Sequence, residues 1–214
     1  MLLEDRQFGR HRYVRPRVKQ AKSMQSEKLQ IKFFAKPGAV PELEAIVPVF
    51  HRFIREHAFD ELMIDVADYK HVKQGPGVVL VGDANDYYLD EGEGRPGLLF
   101  SRKRHGAGPE GRLREGFARA LRACKLLEEA PELGGKLSFA TDEILVRIPD
   151  RLRAPNEDAS FAALSQELSA LLDKLYGAGG HAIARGPAAP APLELRVKAK
   201  TAPALAALLT SLGA

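Results

Sequence analysis

An α+β fold with a mixed or antiparallel sheet is the expectation for this chain, and three observations carry it. Short apolar segments of period two alternate with longer segments whose apolar residues recur every three or four positions. Stretches rich in Gly, Asp and Pro join several of the strand-like segments as hairpins, giving a meander. The order strand, helix, strand, strand, helix also occurs twice, so the chain reads as two pseudo-duplicated β-α-β-β-α halves.

Leu29 to Phe34 alternates like a strand and is followed by a Pro37-Gly38 turn. Ile46, Val49, Phe50, Phe53, Ile54 and Ala58 then recur at helical spacing, which predicts a helix over 46–58. Leu62, Ile64 and Val66 form the apolar set of a second strand, and Gly75-Pro76-Gly77 introduces Val78 to Val81, a continuous apolar run suited to a strand covered on both faces. Tyr87 to Leu89 and Leu98 to Phe100 flank the acidic turn 90–97 as a hairpin. Pro109 opens a helix carrying Leu113, Phe117, Leu121, Cys124 and Leu127, which stops before Gly134-Gly135.

In the second half, Leu137 to Phe139 and Ile144 to Ile148 bracket Thr141-Asp142-Glu143 as another hairpin. A helix over 161–176 follows, with Ser160 as its N-cap, and glycines 177, 179 and 180 stop it. Strands near His181 to Ala184 and Leu193 to Val197 lead to a short helix begun by Thr201-Ala202-Pro203. Strand 31–34 thus corresponds to 144–148 and helix 46–58 to 161–176. The expected organisation is an arm over 1–26 and halves over 27–135 and 136–214 that share one compact domain. The opening unit is also similar in element order to vicinal oxygen chelate folds, but its first strand lacks the His that usually supplies a ligand there.

Charge is segregated along the chain. Residues 1–32 carry nine Lys/Arg against three Asp/Glu, a balance of +6, whereas the remainder sums to −2. Such an arm favours phosphate-rich or acidic surfaces, because each cation that meets a phosphate releases a condensed counterion. Arg10, Arg12, Tyr13, Arg15, Arg17 and Lys19 are its expected partner-binding residues, the partner being an acidic protein surface or a nucleic acid. With one Tyr among the charges, stacking capacity is small, so nucleic-acid binding would be salt-sensitive and without sequence preference. The single cysteine, Cys124, excludes an intramolecular disulfide and fits a buried helix position. The segment from Met1 lacks an apolar core of signal-peptide length and no apolar stretch is long enough to span a bilayer, so a soluble cytoplasmic protein is expected. An exposed meander strand would allow a homo-oligomer.

Two regions could carry chemistry. Asp65 falls in the middle of a strand and Asp68, His71 and Asp83 at adjacent strand ends; if they converged, the four would suit a divalent metal ion, with Asp65, Asp68 and His71 as acid–base candidates. The competing reading is turn capping by Asp68 and Asp83 and a solvent-facing Asp65. Ile64-Asp65-Val66-Ala67-Asp68-Tyr69, His71-Val72 and Gly75-Pro76-Gly77-Val78, with the Tyr and Asp residues after them, resemble a segment of an uncharacterised bacterial protein family, over residues 51–103. The resemblance implies no activity and no catalytic residues. Arg102, Lys103, Arg104, His105, Gly106 and Gly108 run into a predicted helix start, where free N–H groups and the helix dipole favour an anion. His51 and His57 are six apart, a spacing that keeps them from sharing one ion on a helix.

The functional expectation is a non-catalytic binding or assembly module that contacts an anionic partner through the arm. The alternatives are a metal-assisted hydrolase or lyase acting on an anionic substrate, and non-specific nucleic-acid binding.

Overall fold

A computed structural model describes residues 26–73, 75–103 and 111–214. Its strands are β1 (Leu29–Ala35), β2 (Met63–Asp68), β3 (Val78–Gly82), β4 (Asn85–Asp90), β5 (Gly97–Arg102), β6 (Phe139–Ile148), β7 (His181–Arg185) and β8 (Leu193–Ala199). They form one eight-stranded sheet in the order β2-β3-β4-β5-β1-β6-β8-β7, antiparallel at every pairing. The helices are α1 (Ile46–Arg55), α2 (Arg112–Glu128), α3 (Asp158–Tyr176) and α4 (Leu205–Leu212).

Both halves take the same route. Each leaves a central strand, β1 or β6, crosses by a helix to an outer edge, β2 or β7, and returns to lie beside its starting strand before ending in a helix. The first half returns over four strands and the second over two. The β1–β6 pair joins them, so residues 27–135 and 136–214 share one sheet.

The helices occupy one face. Ile31 and Phe33, Leu98 and Phe100, Ile144 and Val146, and Leu195 and Val197 alternate inward along their strands and pack with Phe50, Phe117, Leu168 and Leu208 in one core. α2 lies close over β1 and β5 because residue 116 is glycine: a Cβ there would stand 2.9 Å from the side chains of Leu29 and Ile31. Cys124 is fully buried, and burial pushes its thiol well above the ordinary range, which leaves it unreactive. No helix among the described residues is long and apolar enough to cross a membrane.

Four sequence expectations change. The segment around Thr141-Asp142-Glu143 is not a hairpin but part of β6. Phe33 faces Ile144 and Ala35 faces Phe139, so two steps along β1 oppose five along β6 and the polar triplet is absorbed in a bulge. Thr141 donates to the Pro203 carbonyl at 2.7 Å, while Asp142 and Glu143 accept from Lys198 of β8 at 2.7 and 2.8 Å. In β2, Met63 faces Gly82 and Asp65 faces Val81, so Ile64 is a bulged residue; Met63 is buried whereas Leu62 and Ile64 are exposed. α1 stops at Arg55 because His57 adopts a left-handed conformation (φ 50°) and the Ala58 N–H bonds back to the Phe53 carbonyl at 3.0 Å. α3 begins at Asp158, which puts Ser160 inside the helix rather than at its cap.

Candidate functional site

The candidate metal and acid–base residues do not come together. Asp65 is exposed on β2, its Oδ1 accepting from the Val66 N–H at 2.7 Å. Asp68 accepts from the Lys70 N–H at 3.0 Å and pairs with Lys70 Nζ at 3.1 Å. The backbone hydrogen bond, and after it Lys70's ammonium, hold its carboxyl below the usual aspartate range. His71 is exposed in the next turn, and Asp83 is exposed in the turn between β3 and β4. Asp68 faces Val78 and Met63 faces Gly82, so Asp83 and Asp68 lie at opposite ends of the β2–β3 ladder. At about 3.3 Å per residue that is a separation of roughly 15 Å, too far to share an ion. Among the described residues no group of three or more His, Cys, Asp or Glu is placed to hold a metal.

The expected anion loop is described only at its start. Arg102 is buried and ion-paired with Glu115 on α2. Lys103 Nζ bonds Asp86 Oδ1 at 2.7 Å and the Gly82 carbonyl at 2.6 Å. Both cations are therefore already met by protein oxygens. Arg104, His105, Gly106 and Gly108 lie outside the described residues, as do the arm residues Arg10, Arg12, Tyr13, Arg15, Arg17 and Lys19.

Two polar assemblies that the sequence reading missed do form. On the helix side, Glu61 Oε1 accepts from Asn85 Nδ2 at 2.8 Å, from the Tyr87 hydroxyl at 3.1 Å and from Arg119 at 3.3 Å, and Arg119 Nε also donates to Glu115 at 3.0 Å. Burial, then the nearby Glu61 carboxylate, pushes the Tyr87 hydroxyl well above its ordinary range, so it serves as a donor and not as a base. Beside this assembly lies a cleft of about 550 Å³ lined by Phe59, Tyr87, Arg119, Arg122, Lys125 and Leu209, among others.

On the opposite face, Lys32 is completely buried in the middle of β1 and donates to Asp90 at 2.5 Å, to the Gly92 carbonyl at 2.8 Å and to Glu93 at 3.1 Å. Arg147 binds Glu93 at 2.5 Å and Glu194 at 2.7 Å. Arg95 pairs with Glu143 and its guanidinium stacks on Phe34 at 4.6 Å. Residues 92–95 are thereby clasped onto the sheet. Burial alone would raise the Glu93 carboxyl, but Arg147 and Lys32 outweigh it and hold it below the ordinary value; Lys198 and then Arg95 do the same to Glu143. A cleft of about 320 Å³ lies beside the clasp, lined by Phe34, Glu93, Arg95, Glu143, Arg196 and Lys198, among others.

A third constellation, Ser169 Oγ 3.3 Å from His181 Nε2 with His181 Nδ1 3.7 Å from Asp173, has the order of a hydrolase triad. The imidazole is mostly buried between α3 and β7, and Ser169 and Asp173 are four apart on the same helix. Neither of the two clefts above is lined by these residues. The contact fastens β7 to α3.

No protein family, curated protein or solved structure matches the chain.

Proposed function

We propose that the protein is a non-catalytic binding or assembly module that meets an anionic partner through its basic N-terminal arm. The observation that carries this reading is the segregation of charge: the arm before Ser26 has seven Lys/Arg against two Asp/Glu, a balance of +5, against −1 over the rest. The folded body supports it from the other side. Lys32, Arg95, Arg102, Lys103, Arg147 and Lys198 are each paired with a carboxylate, so these cations are spent on holding the fold. Ser26 is fully buried and its carbonyl accepts from buried Arg112 at 2.8 Å, which gives the arm a firm root. A cytoplasmic setting, with Cys124 as the one thiol, belongs to the same reading. The metal-assisted alternative loses its support with the separation of Asp68 from Asp83.

The test is retention on immobilised polyglutamate and on heparin, comparing the full chain with a chain beginning at Ser26. Loss of retention, with the far-ultraviolet circular dichroism of the body preserved, is the expected result. Equal retention of the shortened chain would reject the reading. Steep salt dependence of duplex DNA binding, insensitive to sequence, would instead point to nucleic acid as the partner.

A further inference from the structure

We propose that the 550 Å³ cleft between α2, α4 and the segment around Phe59 is a binding site for a small organic anion with an apolar body. The proposal is independent of the arm. Phe59, Ala118, Leu126 and Leu209 supply its apolar walls between charged side chains, and Phe59 lies 4.5 Å from the Tyr87 ring so that the two present an aromatic surface.

The cleft's polar groups divide into a committed set and a releasable set. Tyr87, Glu61, Arg119 and Glu115 are bonded to one another, and Tyr87 and Glu61 are almost wholly removed from solvent. This set gives the site shape and a fixed polar end. Arg122 and Lys125, by contrast, follow Arg119 at three-residue intervals on α2 with side chains 50% and 40% exposed. Their partners, Asp60 at 2.6 Å and Glu129 at 2.6 Å, are themselves 73% and 58% exposed. Exposed pairs of this kind contribute little, so a ligand oxyanion can take either cation from its carboxylate at small cost. A ligand that buries an apolar body against Phe59 and Leu209 therefore places its anionic group at Arg122 and Lys125. Asp60 and Glu115 line the same cleft, but Glu115 is held by Arg119 and Asp60 is the exposed partner that a ligand oxyanion displaces from Arg122.

The test titrates the full chain with 1-anilinonaphthalene-8-sulfonate and with its uncharged counterpart N-phenyl-1-naphthylamine, read by fluorescence. Both should bind one saturable site. The double substitution Arg122→Gln/Lys125→Gln should weaken the sulfonate about tenfold, the scale of hydrogen bonds to charged groups, and leave the neutral dye within about twofold. Ala118→Phe should exclude both dyes by filling the cleft. Should that variant fail to fold, the exposed double substitution decides alone. Sulfonate binding unchanged by the double substitution, equal weakening of both dyes, or no saturable binding would overturn the proposal. Arm contacts are separated from the site because neither substitution touches residues 1–25.

Discussion

The two faces of the sheet are built from alternate residues of the same strands, yet they cohere by different physics. Along β1, Ile31 and Phe33 turn toward the helices, and Phe33 meets Phe117 edge to face at 6.1 Å. Lys32, between them, turns the other way and is equally buried. Along β1 the helix face is held by apolar burial, which is non-directional and indifferent to protonation. The clasped face is held by matched charges: the three N–H groups of the Lys32 ammonium find three acceptors, and two of these belong to the clasp. A buried ammonium without such partners would be expelled or neutralised. One strand therefore ties helices to its first face and a loop to its second, and only the second connection depends on pH.

Removing neighbouring residues that face opposite ways should have the largest effects. Phe33→Ala should cost about 3–5 kcal/mol through lost burial and a cavity. Lys32→Ala should cost a similar amount, about 3–5 kcal/mol, because Asp90 and Glu93 are left facing one another without their cation. Urea unfolding at pH 7 and near pH 4 distinguishes the two. The Lys32→Ala deficit should shrink in acid, where protonation relieves the abandoned carboxylates, while the Phe33→Ala deficit should persist. Deficits that move together with pH would show that the faces do not differ in the way described.

That contrast also explains what the sequence could convey. β1, β7, β8 and the four helices follow their hydrophobic periods and β3, β4 and β5 their short apolar runs, because both patterns report which residues are buried. The helix-side cluster of Glu61, Tyr87 and Arg119 was hidden because its members are 26 to 58 positions apart and are brought together only by tertiary packing. Lys32 did leave a local signal, the one charge in a strand that is mostly apolar, but its carboxylate partners lie 58 and 61 residues away. The β2 and β6 misreadings share one cause. A bulge changes the parity of a strand, so alternation counted through Ile64 or through Thr141-Asp142-Glu143 assigns residues to the wrong face or inserts a false turn. Asp65, Asp68, His71 and Asp83 look like a site because they are close in sequence, whereas the β2–β3 hairpin puts Asp83 at the opposite end from Asp68 and the turn that follows it.

A smaller effect sharpens the pH argument. Glu93 and Glu143 are both held below the ordinary glutamate value of 4.5 in the folded state. A carboxyl depressed by folding adds stability that is fully present above 4.5 and is lost as pH falls through the folded value. Stability should therefore decline on the acid side of 4.5, and Glu93→Gln should flatten that decline while costing about 1–3 kcal/mol at pH 7. The check is the slope of urea midpoint against pH for the two proteins. Identical slopes would remove Glu93 from the clasp's pH dependence.

The smallest effect is expected where a charge pair lies on neither face. Arg122 and Asp60 approach to 2.6 Å, closer than the Lys32–Glu93 contact at 3.1 Å, yet both side chains are at least half exposed. Distance alone would rank the Arg122 pair as stronger, but water screens it and leaves each ion solvated when the partner is removed. Arg122→Gln should therefore change stability by no more than about 0.5 kcal/mol, and added salt should leave even that difference near zero. A loss comparable to that of Lys32→Ala would mean that burial is not what separates the structural ion pairs from the releasable ones. The division of the α2 cleft into a committed end and a releasable mouth would then fall with it.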